Sequence, residues 1–109
     1  MKKVYEIHCF CNDYDNEEAT DLCFKLEEKM FDVFFKKEKA LDYFLGRFDF
    51  LKNDWYKEWI EEVVKNNPNI TIGAELYEAQ VPNRYDYGCE SCFDYENEVI
   101  ETLYFCKGE

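Results

Sequence analysis

The sequence predicts a single α+β domain, an antiparallel sheet of about four strands with two to three helices packed on one face. Three observations carry that prediction. A length of 109 residues suits one domain with one core. A hydrophobic content of 47%, with ten Phe, nine Tyr and two Trp, is far too high for a disordered acidic chain. Alternating, strand-like segments at both ends of the chain bracket one-face helical stripes in the middle.

Residues 4–11 alternate as a first strand, with Tyr5, Ile7, Cys9 and Cys11 on one face and Val4, Glu6, His8 and Phe10 on the other. The polar run 12–16 is a turn by composition. Residues 17–26 read as a short helix, with the return arm of a hairpin as the alternative. Residues 30–35, rich in aromatic and β-branched side chains, predict a second strand, and Lys36 to Lys39 open a helix behind it. Ala40, Leu41, Phe44, Leu45 and Phe48 recur on one face of that helix. A further stripe, Trp55, Trp59, Ile60, Val63 and Val64, runs from Asp54 as a candidate N-cap to the stop at Asn66-Asn67-Pro68. Alternation returns over residues 69–81, with Ile70, Ile72, Ala74 and Leu76 on one side and Glu75 and Tyr77 on the other. Residues 81–88 form a loop by their Pro, Asn, Asp and Gly content, and residues 93–106 form a final strand with Asn97 as a candidate turn or bulge. A hairpin of the last two strands is the economical arrangement.

Charge is the dominant compositional feature. The net charge is -12, and two segments account for it. Residues 12–28 hold seven acids against Lys25, and residues 85–106 hold six acids with no Lys or Arg. Such a surface repels nucleic-acid phosphates, which excludes direct nucleic-acid binding as an expectation. The same field attracts a basic groove on another protein. In the final third, aromatics interleave with these acids, and Tyr85, Asp86, Tyr87, Glu90, Asp94, Tyr95, Glu96 and Glu98 form the candidate partner-binding set. The plainer alternative for the acids is solubility, and for alternate aromatics a place in the core.

No run of apolar residues approaches the roughly 18 a membrane span needs, and none near the N-terminus is long enough for a signal peptide, so a cytoplasmic location with reduced thiols is expected. Cys89-Glu90-Ser91-Cys92 is a Cys-x-x-Cys pair and Cys9-Phe10-Cys11 puts two thiols on one side of a strand; together Cys9, Cys11, Cys89 and Cys92 are candidate zinc ligands, and a small zinc- or thiol-dependent module is the alternative reading. Acids beside the Cys-x-x-Cys raise its thiol pKa and disfavour a redox role. His8, the single histidine, faces away from Cys9 by strand alternation and reads as a partly buried or surface strand residue, with an approach of Cys106 or Cys23 across the sheet as the alternative. No phosphate-binding glycine loop, nucleophile elbow, metalloprotease helix or EF-hand spacing is present, so no catalytic residue and no cofactor is expected.

Residues 30–35 passing straight into Lys36-Lys37-Glu38-Lys39-Ala40-Leu41-Asp42-Tyr43-Phe44 resemble a pattern common in small phage and bacterial proteins of unassigned function. The whole profile, a short acidic chain rich in aromatics, is similar in size and composition to phage-encoded inhibitors of restriction or CRISPR nucleases, several of which imitate DNA. That resemblance implies a non-enzymatic inhibitor whose partner is a basic nucleic-acid-binding enzyme, acting in the host cytoplasm if the chain is phage-encoded.

Overall fold

The computed structural model describes residues 1–108. Its elements run β1 (Lys2–Cys11), α1 (Glu17–Met30), β2 (Val33–Phe34), α2 (Lys37–Asn53), α3 (Tyr56–Asn66), β3 (Ile72–Val81) and β4 (Glu96–Cys106), with a 3-10 turn at Cys92–Asp94 before the last strand. The four strands form one antiparallel sheet in the order β2-β1-β3-β4. This is the predicted α+β layout.

Residues 17–26, open between helix and hairpin arm, lie in a helix. Asn16 caps it by accepting the Ala19 N–H at 3.1 Å, and Glu17 and Glu18 in the first turn and Lys29 in the last match the helix dipole. Its buried stripe is Ala19, Leu22, Cys23, Leu26 and Met30. Because Met30 belongs to that stripe, the helix runs through the start of the predicted second strand and closes with the Phe31 N–H on the Glu27 carbonyl at 2.8 Å. Only Val33 and Phe34 remain to pair, with Glu6 and Tyr5 of β1. Packing of the helix end overrides the β-rich composition of the segment.

In β1 the expected alternation holds: Tyr5, Ile7 and Cys11 face the helices and join Ile72, Ala74 and Leu76 of β3 in the main core. The helices contribute Ala40, Phe44, Phe48 and Leu51 from α2, and Tyr56, Ile60 and Val63 from α3. Two expected members of the helical stripes lie outside. Leu45 is exposed, and Trp55, at 60% exposure, stacks on Tyr56 (4.1 Å between centroids) and Trp59 (6.0 Å) at the surface. Asp54 caps no helix by its side chain; it closes α2, and its carbonyl receives the Lys57 N–H at 2.9 Å.

The last strand begins three residues later than expected, because Phe93 and Asp94 lie in the 3-10 turn. Asn97 is paired with Ala79 and is no bulge. The register slips at Ile100, where Leu76 faces Glu101 and Tyr77 faces Val99, and again at Phe105. These slips let Ile100, Leu103 and Phe105 all pack toward the helices, with the Phe105 ring 4.7 Å from that of Phe48.

The face of the sheet away from the helices is partly covered too. Residues 82–95 fold back over it and close a second, smaller core of Val4, Ala79, Val81, Tyr85 and Cys92, flanked by Val33, Tyr77 and Tyr95. Beyond this cover, Phe10 lies across Gly73, where a side chain would meet both the Phe10 ring and the Leu103 carbonyl. Among the described residues no helix is long and apolar enough to cross a membrane.

Candidate functional site

Glu6 and His8 occupy alternate positions of β1 on the face roofed by residues 82–95. Cys92 begins the 3-10 turn in that roof, set by Ser91, whose Oγ accepts the Phe93 N–H at 3.2 Å, and by Asn97, whose Nδ2 donates to the Cys92 carbonyl at 3.3 Å and the Tyr95 carbonyl at 2.8 Å. The result is a cluster of unlike chemistry. A carboxylate oxygen of Glu6, a ring nitrogen of His8 and the Cys92 Sγ lie within 4.8 Å of one another.

Each polar group in the cluster has a partner. His8 Nε2 lies 3.2 Å from Glu6 Oε1 and Nδ1 lies 2.8 Å from Glu27 Oε1 of α1. The second oxygen of Glu27 accepts the Cys9 N–H. That N–H is on the edge of β1 past the end of the short β2, so Glu27 covers an otherwise unpaired strand edge and orients the imidazole together. The Tyr85 hydroxyl donates to Glu6 Oε2 at 2.6 Å, and the Glu90 carbonyl lies 3.2 Å from the same hydroxyl. Among the described residues no buried side-chain nitrogen or oxygen lacks a partner. Around the ring of His8 stand Phe93 (4.8 Å), Phe31 (5.1 Å) and Tyr77 (5.8 Å), all at tilted or edge-on angles.

The electrostatics follow from this geometry. Burial alone would push the His8 imidazolium toward neutrality, but hydrogen bonds with Cys92, Glu27 and Glu6 outweigh it and raise its pKa to about 11. Burial alone would raise the Glu6 carboxyl, which is 3% exposed, yet its bonds with His8 and Tyr85 hold it below the usual range. The Cys92 thiol goes up because burial and the Glu6 charge exceed the pull of His8. These directions favour an imidazolium at His8, an ionised Glu6 and a protonated Cys92 thiol. Thiol, imidazole and carboxylate stand in the order of a nucleophilic relay, but Cys92 is 0% exposed and its raised pKa disfavours the thiolate.

The partner of His8 was not foreseeable from strand alternation, which did separate it from Cys9. Cys23 packs in the main core on the helix side and Cys106 sits at the end of β4 beside Ile72; Cys92, from the far loop, is the thiol that reaches it. The four cysteines expected as a zinc set are not brought together. Cys9 and Cys11 pack on the helix side of the sheet, Cys92 is buried on the opposite side, and Cys89 is exposed in the loop.

The predicted partner-binding set divides. Asp86, Tyr87, Glu90, Asp94, Glu96 and Glu98 are exposed. Tyr85 is 6% exposed and belongs to the small core, with Tyr95 half-buried against it at 5.7 Å. Phe93, exposed and next to His8, was not in the set. Asp86 also has a local task, since its Oδ1 accepts the Gly88 N–H at 2.9 Å and shapes the turn. Among the described residues the lysine ion pairs are Lys3 with Glu78 and Lys25 with Glu28, both at 3.4 Å, and neither involves an acid of residues 85–106.

Compared with protein-family models, with curated proteins and with solved structures, the chain has no match in any of the three.

Proposed function

We propose that this chain is a non-enzymatic acidic binding protein that inhibits or regulates a basic, nucleic-acid-handling protein by occupying its nucleic-acid groove, with a CRISPR or restriction nuclease as the class of partner. The observation that carries the reading is that Asp86, Glu90, Asp94, Glu96, Glu98 and Glu101 are all exposed and that, among the described residues, none has a cationic neighbour within ion-pair distance. They project from one loop and one edge strand, and their field stands unneutralised until a partner's Arg and Lys supply the countercharge. Tyr87 at 56% exposure and the exposed Phe93 add aromatic contact area beside them. Direct nucleic-acid binding is disfavoured by the same charge.

The test is inhibition of DNA cleavage by a panel of such nucleases, with binding measured across a salt series and in competition with DNA. Binding is expected to weaken steeply with salt and to exclude DNA. Reversing Asp94, Glu96 and Glu98 to Lys, which leaves the Asp86 turn intact, should weaken binding by more than about tenfold. The matched reversal of Glu38, Asp42 and Glu58, exposed on the helices, should change it by less than about threefold. Equal losses in the two variants, or salt-insensitive binding that DNA does not displace, would sink the reading.

A further inference from the structure

We propose that Glu6, His8 and Cys92 form a zinc site that clasps residues 82–95 to the sheet. One donor atom from each of the three residues already lies within 4.8 Å of the others, and Glu6 Oε1 and His8 Nε2 are 3.2 Å apart. Zinc holds such ligands at about 2.0–2.3 Å in a tetrahedron, which requires donor separations of roughly 3.3–3.8 Å. The three groups therefore need adjustments on the order of an ångström, within the reach of side-chain torsions.

The donor set selects the metal. A thiolate with an imidazole and one carboxylate suits zinc and excludes magnesium and calcium, which take oxygen ligands. The surrounding contacts have the character of an orienting shell. Glu27 Oε1 takes the Nδ1 side of His8 at 2.8 Å, and Nε2 is the nitrogen turned toward Glu6, which leaves it free to serve as the ligand atom. The Tyr85 hydroxyl holds Glu6 Oε2 at 2.6 Å and leaves Oε1 facing His8. Ligating imidazoles and carboxylates are held in this way by a carboxylate or hydroxyl behind them. Binding displaces the proton on Nε2 and the proton of the Cys92 thiol to solvent; no electron moves. Three protein ligands leave the fourth position to water, and 21% of the His8 side chain is exposed.

Cobalt(II) titration of the full chain tests the assignment, in a Cys89→Ser background that removes the exposed thiol. One equivalent should produce a thiolate-to-cobalt charge-transfer band and tetrahedral visible absorption, both erased by zinc. Cys92→Ser should abolish the charge-transfer band, and His8→Gln should abolish tight binding. Glu27→Gln should weaken affinity by about tenfold to hundredfold, because it touches the ligand and not the metal. Cys106→Ser should change nothing. Each variant is compared with the parent by its metal-free melt. Should Cys92→Ser fail to fold, X-ray absorption of the zinc-loaded parent decides, with a single sulfur in the coordination shell expected. Absence of the charge-transfer band in the parent, its survival in a folded Cys92→Ser variant, or a shell of two or more sulfurs would overturn the site.

Discussion

Tyr85→Phe removes a single oxygen from a buried contact and leaves the ring in place. The lost bond runs from the hydroxyl to Glu6 Oε2 at 2.6 Å, a short bond to a carboxylate that is 3% exposed. Hydrogen bonds to charged groups are worth about 1.5–3 kcal/mol net. The other oxygen of Glu6 keeps His8 at 3.2 Å, which places the cost in the lower half of that range, about 1.5–2 kcal/mol. The edge-on contact of the ring with Tyr95 at 5.7 Å does not depend on the hydroxyl, so the substitution separates the hydroxyl's contacts, with Glu6 and with the Glu90 carbonyl at 3.2 Å, from the packing. For a domain of this size each kcal/mol moves Tm by roughly 4 °C, giving a fall of about 6–8 °C. Thermal melts and urea titrations of the metal-free protein measure it, with the midpoint expected to drop and the m-value to stay constant. Tyr87→Phe, at an exposed ring, serves as the control and should shift Tm by less than about 1 °C. In a double-mutant cycle with Glu6→Gln the two changes should be coupled by about 1 kcal/mol or more. A Tyr85→Phe protein that melts within about 1 °C of the parent would show that this hydroxyl does not hold the segment to the sheet.

Two more outcomes follow from the same structure. In metal-free protein the folded state holds the His8 proton more tightly than the unfolded state, with a pKa raised from 6.5 to about 11. Its stabilisation is complete below pH 6.5 and is lost as pH rises toward 11, so urea melts between pH 6.5 and 8.5 should lose up to about 1.4 kcal/mol per unit, a slope that His8→Gln flattens; a level profile in the parent refutes the reasoning. Gly73→Ala would put a methyl 2.7 Å from both the Leu103 carbonyl oxygen and the Phe10 ring, and since the carbonyl is backbone it should destabilise by about 1–3 kcal/mol, against no change if β3 and β4 can separate freely.

What the sequence made legible was set by local pattern. Tyr5, Ile7, Cys9 and Cys11 share a face because side chains alternate along any strand, and no tertiary information was needed to place them. The extents of α2 and α3 were legible from their apolar recurrence, but the stripe does not say where the neighbouring layer ends. Trp55 satisfies its large surface by stacking on its own helix instead of entering the core, and Leu45 lies outside the core altogether. Met30 illustrates the reverse case, in which a residue with strand-like neighbours is claimed by a helix because its side chain completes a buried stripe. Of the polar cluster, Glu6 and His8 on one face of β1 were legible, and so was the gap between His8 and Cys9. The arrival of Cys92 depends on how residues 82–95 fold over the sheet, a long-range event with no local signature.

Alternation alone would put Glu6 and His8 in water, as is usual for the polar face of a half-buried strand. Their enclosure needs a compensating set of bonds, because an unpaired buried carboxylate costs several kcal/mol. Those bonds come from two places far apart in the chain. Glu27 reaches across from α1 because β2 is too short to cover the edge of β1, and Tyr85 reaches down from the roof. The same roof displays Asp86, Glu90 and Asp94 to solvent. Repulsion among these acids favours an open loop, and the attraction of Glu6 for Tyr85 and of His8 for Cys92 favours a closed one. The position of the acidic surface is therefore fixed from below, by a cluster whose chemistry differs from that of the surface itself. A change in the cluster will be felt at the acidic face without altering any of its charges, whereas charge reversal at Glu96 or Glu98, on the edge strand, leaves the cluster untouched. For the proposed partner binding, this asymmetry separates two ways of losing it, one through displaced geometry and one through lost countercharge.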